Sequence, residues 1–364
     1  MRLFILIKLF LLFLVTGCDE KRFHQVQTDN PEFAPDTLFT SFEDLRSPKF
    51  AALKTRYQLD TVVGTEKAEL KRILLLRHWI RSTIPINDPG PHHGNGSAES
   101  IIDEGLKGNG FHCGHYMVVQ NAVMNAYGYV TRTLGAGPGV KGGPDGHHGI
   151  DEIWLNSYQK WFLSDAKYDA HFEKNGIPLS ALEVRAEYLK NKAADITLVK
   201  GPGRAITEFD EEYKKSKEDF ALTYAHIEWN KRNDLYTNWP KDSSYLIMYQ
   251  DEYFRNNPWI WDGKPHWAYN TPHMRLVSDR RAIEWTPNTI ASTVSIKGNK
   301  AAIALQSSTP NLETYQLKES KDADWKNIPA GITTSLKKDT HALVFRTVNL
   351  AGVTGPEHTV IIAQ

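Results

Sequence analysis

The sequence is poor in cysteine and has no excess of charge of either sign. Its 364 residues include two cysteines, Cys18 and Cys113, and 43 basic side chains are balanced by 43 acidic ones. Nucleic acids and anionic surfaces attract proteins that carry a positive excess, so we expect no nucleic-acid partner. The length predicts one large domain together with a small one.

Long apolar runs are also scarce, and the one at the N-terminus is short for a membrane span. Residues 1–18 have a basic start, a short apolar run and small residues before Cys18, which predicts an export signal. The segment 14–18 resembles the bacterial lipobox, which implies cleavage before Cys18 and a diacylglycerol on its sulfur. An ordinary signal peptide or a short anchor helix remains the alternative. We therefore expect an exported lipoprotein, anchored in the bacterial cell envelope by its lipid, with a tether over residues 19–45.

Acylation of Cys18 would leave Cys113 without a disulfide partner in an oxidising compartment. Such a thiol is either reactive or buried as a small hydrophobe, and its surroundings decide between the two. A glycine-rich turn over residues 108–114 leads into a helical pattern that contains Tyr116, Val119 and Val123. Cys113 is thus predicted at a helix N-terminus. There the helix dipole lowers a thiol pKa, and the Cys113 N–H can stabilise an oxyanion.

A predicted β-hairpin carries a histidine and an aspartate that could act together with this thiol. Two strand-like runs, residues 150–155 and 161–165, are joined by a short polar turn. A turn centred in that polar segment places His148 directly opposite Asp165, with both side chains on one face. A carboxylate that orients a histidine next to a helix-terminal thiol is the arrangement of nucleophilic catalysis. The predicted catalytic residues are the nucleophile Cys113, the base His148 and the orienting Asp165.

This order of motifs resembles the transglutaminase-like superfamily, which is related to papain. Residues 110–132 resemble the cysteine helix of the family and the strand after it. The spacing of His148, Glu152, Trp154, Trp161 and Asp165 is close to the family's histidine and aspartate strands. The resemblance covers about residues 66–185, and it departs from the family pattern just after His148 and around Asp165.

The resemblance implies an α+β fold in which a helix that carries the cysteine packs on an antiparallel sheet. It also implies acyl transfer on amide bonds by a Cys-His-Asp triad, without a cofactor. Bacterial members are often hydrolase-like, so we expect an amidase, deamidase or peptidase in preference to an amine transferase. The expected substrate is a peptide, a protein or a glycopeptide.

Several alternatives remain open at the predicted site. His147 could replace His148 as the base, although strand alternation turns it to the other face. Cys113 and His148, together with His115 and His147, could bind Zn²⁺, but their spacing matches no familiar site. The glycine-rich segment 135–149 contains no phosphate-binding pattern and is interpreted as a flap on the substrate side.

The chain beyond this region divides into two parts. Residues 46–282 are predicted to form the transglutaminase-like domain with a helical and aromatic-rich extension. From residue 283, short alternating runs predict a small β-sandwich, and residues 341–356 resemble strands of immunoglobulin-like and fibronectin-III-like modules. Two rival functions follow: a non-catalytic lipoprotein that binds glycans or proteins, and a glycan-processing enzyme whose aromatic stretch 239–285 binds sugar.

Overall fold

The structure is a computed structural model that describes residues 22–31, 38–39, 41–139, 146–206, 208–238, 246–266, 274–320 and 322–364. Cys18 and the predicted export signal lie outside the described residues, so the lipidation of Cys18 stays a prediction. Over the described ranges, every helix is too short or too polar to cross a membrane.

The helices and strands are as follows. The helices are α1 (Pro48–Arg56), α2 (Leu59–Val63), α3 (Glu69–Thr83), α4 (Ala98–Leu106), α5 (Cys113–Ala126), α6 (Ala181–Asn191), α7 (Lys217–Leu222), α8 (Glu252–Asn256) and α9 (Arg280–Ile283). The strands are β1 (His24–Thr28), β2 (Ser41–Phe42), β3 (Thr131–Gly137), β4 (His148–Leu155), β5 (Lys160–Ser164), β6 (Ala170–Lys174), β7 (Ile177–Pro178), β8 (Thr197–Lys200), β9 (Arg204–Ile206), β10 (Phe209–Asp210), β11 (Lys215–Ser216), β12 (His226–Asn230), β13 (Arg232–Asn233), β14 (Leu246–Tyr249), β15 (Ile260–Trp261), β16 (Lys264–Pro265), β17 (Met274–Val277), β18 (Ala291–Lys297), β19 (Lys300–Gln306), β20 (Leu312–Lys318), β21 (Lys326–Ile328), β22 (Gly331–Ser335), β23 (Thr340–Asn349) and β24 (His358–Ala363).

A six-stranded sheet with the order β17-β14-β12-β3-β4-β5 forms the centre of the molecule. Its neighbouring strands are antiparallel except for the parallel pair β14 and β17. One face packs with α1 to α5, and the other face, which carries Trp229 of β12, packs with β6, α6 and Trp285. Both faces are therefore covered, and every residue of β3 and β4 is buried. The α+β class and the packing of α5 on an antiparallel sheet are confirmed.

The hairpin of β4 and β5 differs in register from the expected one. Leu155 pairs with Lys160, so the loop is centred one residue later than the polar turn suggested. Asp165 is displaced by two residues from direct opposition to His148. Side chains alternate with a period of two along a strand, so this displacement leaves both residues on the same face as a diagonal pair.

Two local predictions were wrong. Thr65 precedes an apolar helical pattern and is therefore predicted to cap a helix, but α3 begins at Glu69 after Ala68, and Glu66 binds the backbone N–H groups of residues 67 and 68. Residues 208–229 look helical in the sequence, but only α7 is helical there, and β12 is a central strand. Pairing with β3 and β14, which are distant in the sequence, overrides the local helical pattern.

The C-terminal part contains two sheets that share one hydrophobic core. A three-stranded sheet has the order β18-β19-β22, and a five-stranded sheet has the order β1-β24-β23-β20-β21. The predicted strands within β18, β19, β20, β23 and β24 are confirmed, whereas the likeness to immunoglobulin modules stays a prediction. Strand β1 falls within the predicted tether. Its exposed side chains carry no hydrophobic pattern, so it is placed by backbone pairing with β24 and by a 3.2 Å hydrogen bond between the Thr28 and Ser292 hydroxyls.

Candidate active site

Cys113 is the first residue of α5 and is half-buried. His112 caps the helix, since its Nδ1 accepts a hydrogen bond from the Gly114 N–H at 3.1 Å. The first four N–H groups of a helix have no partner within the helix, so the Cys113 N–H belongs to a group of donors that can face an anion. The predicted placement of the thiol at a helix N-terminus is thus observed.

His148 and Asp165 form a direct hydrogen bond, with 2.7 Å between Nε2 and Oδ2. Both residues are buried. The other Asp165 oxygen accepts the Tyr168 N–H at 3.1 Å, and the Tyr224 hydroxyl donates to Oδ2 at 3.4 Å. Because Nε2 is engaged by Asp165, Nδ1 is the nitrogen of His148 that can exchange a proton with the Cys113 thiol, and the two groups lie close enough for each to shift the pKa of the other.

The electrostatics of the three groups favour an ion pair. Burial raises the pKa of Cys113, but hydrogen bonds from His112 and His148 and the charge of His148 outweigh it and lower the pKa to about 5. Burial lowers the pKa of His148, but the charge and hydrogen bond of Asp165 and the contact with Cys113 raise it to about 9. Between these values the pair consists of a thiolate and an imidazolium, which is the reactive form of a cysteine nucleophile.

Two residues of α3, Arg77 and His78, stabilise the turn that follows Asp165. The backbone groups of Asp165 and Ala170 bond each other in both directions, which closes the turn 165–170. Arg77 is fully buried, and it donates to Asp169 Oδ1 at 2.8 Å and to the Ala170 carbonyl at 3.1 Å. His78 adds a 2.6 Å bond to the other Asp169 oxygen. These contacts fix the turn that places the Asp165 carboxylate.

Gly149 lets the histidine strand approach the start of α5. A Cβ built on Gly149 would lie 3.4 Å from the Gly114 Cα and 3.5 Å from the Met117 sulfur. The Gly149 N–H also donates a hydrogen bond to the Cys113 thiol, which helps to lower its pKa. The departure from an aromatic residue after His148 therefore corresponds to close packing of strand and helix.

A cavity of about 320 Å³ lies beside His148. Its wall includes Tyr168, whose ring centroid is 5.4 Å from that of His148, and the cations Lys167 and Lys215. Lys167 is paired with Asp88, with 2.7 Å between Nζ and Oδ1. A larger cavity of about 1010 Å³ lies between α1, α3 and residues 351–356 and is lined by none of the three predicted catalytic residues.

His147 faces away from the thiol. Its ring stacks on Trp259 at 5.7 Å and lies near Trp261 and His266, and its Nε2 is 3.5 Å from Glu228 Oε1. The four residues considered for zinc do not form one cluster. Among the described residues, His115 groups with His92 and His112, and His147 groups with Glu228 and His266.

Gln120 and Trp79 carry side-chain N–H groups, which are possible oxyanion donors, but each has other contacts. Gln120 is buried along α5 and donates to Asp151 and to the Ser164 carbonyl, at 2.8 Å each. Trp79 packs in the core on the helical side of the sheet, with its ring 6.2 Å from that of Tyr57. The second oxyanion donor thus stays unassigned.

Sequence reasoning missed Tyr168, Tyr224 and His92 near the site. Tyr168 follows Asp165 by three residues, a spacing that allows its N–H to reach the carboxylate. His92 lies in a loop, yet its ring centroid is 4.5 Å from that of His112 and 4.7 Å from that of His115. The contacts of Tyr224 and His92 depend on long-range packing and leave no local signal.

Comparisons with known proteins add little to this description. No family model matches the chain, and no curated protein matches it. A crystal structure from Cytophaga hutchinsonii, described as a "Putative Cysteine Protease", is similar to 33% of this chain with 18% identity and a TM-score of 0.26. The similar region spans 39% of that protein. A similarity of this size carries no conclusion about function, so the site is interpreted from its own geometry.

Proposed function

We propose that the protein is a cysteine hydrolase that acts on amide bonds, with Cys113 as the nucleophile, His148 as the acid and base, and Asp165 as the orienting group. The observation that carries the proposal is the buried 2.7 Å hydrogen bond between His148 and Asp165 beside the Cys113 thiol at the start of α5. The lowered pKa of Cys113, about 5, supports the thiolate form at neutral pH.

In this mechanism the Cys113 thiolate attacks the amide carbonyl carbon, and the carbonyl oxygen becomes an oxyanion facing the Cys113 N–H. The imidazolium of His148 gives its proton to the departing amine, so the C–N bond breaks and a thioester forms. His148, now neutral, takes a proton from water. The resulting hydroxide attacks the thioester and restores the thiolate, while Asp165 holds the His148 tautomer throughout.

The substrates proposed for this site are peptides, proteins or glycopeptides outside the cytoplasm. The proposal includes export and anchoring through a lipid on Cys18, as the N-terminal motif predicts. The wall beside His148 combines the Tyr168 ring with Lys167, Lys215 and Asp219, and Lys167 is already paired with Asp88, so the wall is suited to a polar substrate.

The proposal is tested with an electrophilic peptide amide probe that modifies reactive thiols. We expect the probe to label wild-type protein at Cys113, as located by peptide mass spectrometry, and to label Cys113→Ala not at all. His148→Asn should reduce the labelling rate by at least about a hundredfold, since loss of a general base costs 10²–10⁴-fold. The matched variant His341→Asn, in the C-terminal part, should label like the wild type.

A second experiment distinguishes water from a primary amine as the acyl acceptor. Peptide substrates are incubated with and without a large excess of a primary amine, and the mass of each product is measured. Hydrolysis adds water to the cleaved or deamidated amide, whereas transfer adds the amine. If folded wild-type protein neither reacts with the probe nor changes any peptide, the proposed activity is wrong.

A further inference from the structure

A second cluster of ionisable side chains lies on the far side of His147 from the thiol. It consists of His147, just before β4, Glu228 on β12 and His266, just after β16. Glu228 Oε1 is 3.5 Å from His147 Nε2 and 3.8 Å from His266 Nε2. One candidate ligand atom from each residue lies within 4.8 Å of the other two. Three elements far apart in the sequence thus bring two imidazoles and a carboxylate together.

The carboxylate of this cluster is buried with little compensation. The side chains of Glu228 and His266 are 5% and 0% exposed, respectively. Oε2 of Glu228 is buried and accepts no hydrogen bond from the described residues. The distances from Oε1 to the two imidazoles exceed those of good N–H···O bonds. An ionised carboxylate buried this way is costly unless a cation compensates it.

The space between these groups is kept open by a glycine. Gly135 on β3 is paired directly with Glu228 on β12. A Cβ on residue 135 would lie 2.6 Å from His147 Nε2 and 2.9 Å from Glu228 Oε1, so it would occupy the gap between the two ligand atoms. Trp259 stacks on His266 at 4.2 Å and on His147 at 5.7 Å, which holds both rings in nearly parallel planes.

We propose that His147, Glu228 and His266 bind one divalent transition-metal ion, with Zn²⁺ the best match. Two neutral imidazoles and one carboxylate form a common zinc ligand set that leaves a fourth position for water. In a tetrahedral site with bonds of about 2.0 Å, ligand atoms are about 3.3 Å apart, so the 3.5 and 3.8 Å separations need only small adjustments. The His147 side chain is 27% exposed and lines the cavity beside His148, which provides an entry path.

The other histidine cluster fits a metal less well. His92, His112 and His115 are all only half-buried and bring no negative charge. His112 Nδ1 is already occupied by the Gly114 N–H at the start of α5. A metal at the His147 cluster would instead tie together the start of β4, the strand β12 and the segment 259–266. The ion would therefore hold these three segments together beside the strand that carries His148, and the proposal does not depend on the proposed enzymatic activity.

The test uses the intact mature chain, stripped with a chelator and then reloaded with Zn²⁺ alone. After dialysis, elemental analysis should find one zinc per wild-type chain, and zinc should raise the unfolding temperature. Glu228→Gln and His266→Gln should each weaken zinc binding by more than about a hundredfold, because loss of even a supporting partner costs 10–100-fold. His92→Gln serves as the matched control and should bind zinc like the wild type.

X-ray absorption spectroscopy of the zinc-loaded wild type identifies the ligands of the ion, so the proposal can be tested even if the variants fail to fold. Two imidazoles with oxygen ligands support the proposal. Three imidazoles would place the ion at the His92 cluster, and a sulfur ligand would place it at Cys113, and either result overturns the proposal. Absence of stoichiometric zinc in the reloaded wild type would overturn it as well.

Discussion

Four influences act on the pKa of Cys113: the end of a helix, hydrogen bonds, the charge of His148 and burial. Its place at the start of α5 offers the positive end of the helix, and His112, His148 and the Gly149 N–H offer hydrogen bonds. Burial acts in the opposite direction, since it disfavours a charged sulfur. The hydrogen bonds and the charge of His148 prevail, so the thiol is acidic although it is half-buried.

The pH dependence follows from these shifts. As pH rises through about 5, Cys113 loses its proton, and His148 keeps its own until about 9. We therefore expect the rate of Cys113 alkylation to reach half its plateau near pH 5, whereas a simple thiol does so near about 8.5. Amide hydrolysis needs the imidazolium and should fall above about pH 9. Stopped-flow alkylation and turnover assays measure the two limits.

The variant Asp165→Asn provides a further test of the predicted pH dependence of turnover. The negative charge of Asp165 raises the pKa of His148, so its removal should move the alkaline limit of turnover to lower pH. The effect on the alkaline limb separates loss of charge from general damage, which would lower turnover at every pH. A wild-type alkylation midpoint near about 8.5 would contradict the ion pair.

Substitutions of Gly149 test whether the contact between β4 and α5 positions the thiol. A Cβ at this position makes ordinary contacts of 3.4 and 3.5 Å with Gly114 and Met117, so Gly149→Ala should retain a reactive thiol. The additional methyl groups of Gly149→Val extend toward the same atoms and should push β4 away from α5. We expect the alkylation rate of Cys113 at pH 6 to fall at least about tenfold in the valine variant alone. Equal rates in both variants would show that this contact does not position the thiol.

At the scale of elements, α3 supports the site through a buried ion pair. Arg77 is 0% exposed, and its guanidinium reaches Asp169 and the carbonyls of Ala170 and Gly201. The helical pattern already places residue 77 on the apolar face, with Ile73 and Leu74. The packed structure explains why a charge occupies that face, since it joins α3 to the turn behind Asp165.

Arg77→Met should therefore destabilise the protein strongly. Removing one partner of a buried ion pair costs about 3 to 5 kcal/mol, and the remaining bond from His78 to Asp169 should keep the loss toward the lower end of that range. Chemical denaturation measures the change in the free energy of unfolding. Arg46→Met is the matched control, because Arg46 pairs with Asp44 on the surface, and we expect no measurable change. A similarly small effect of Arg77→Met would mean that the turn is held by its backbone bonds alone.

At the scale of the whole molecule, the end of α5 contacts the C-terminal two-sheet part. Gly128 follows α5 with φ of +76°, and its carbonyl accepts a 2.9 Å bond from the Asn349 side chain. A Cβ on Gly128 would lie 2.5 Å from the Ala351 Cβ and 2.9 Å from Val353. The helix that begins with the thiol thus ends against the other part of the chain.

Gly128→Ala is expected to disturb this contact. The positive φ costs about 1 kcal/mol for a non-glycine residue, and overpacking against Ala351 adds about 1 to 3 kcal/mol. Gly298→Ala is the matched control, because its φ is +55° and nothing lies within 4 Å of its Cβ. Thermal unfolding should show a clearly larger loss for Gly128→Ala. Equal losses in the two variants would attribute the whole effect to backbone strain.

The features that depend on short-range order could be predicted from the amino-acid sequence. Cys113 at the start of a helix, the strands that carry His148 and Asp165, and the strand repeats of the C-terminal part all follow from local patterns of glycine, turn residues and apolar spacing. The period of two along a strand also put His148 and Asp165 on one face, and this held although the register differed by two residues.

Strand placements and side-chain clusters that depend on contacts between distant segments become visible only in the tertiary structure. The central strand β12 was mistaken for helix because its partners β3 and β14 lie far away in the sequence. Strand β1 has no pattern of its own and is placed by pairing with β24 and by the contact of Thr28 with Ser292. The grouping of His147 with Glu228 and His266 arises in the same way, since long-range pairing leaves no mark on the local sequence of each partner.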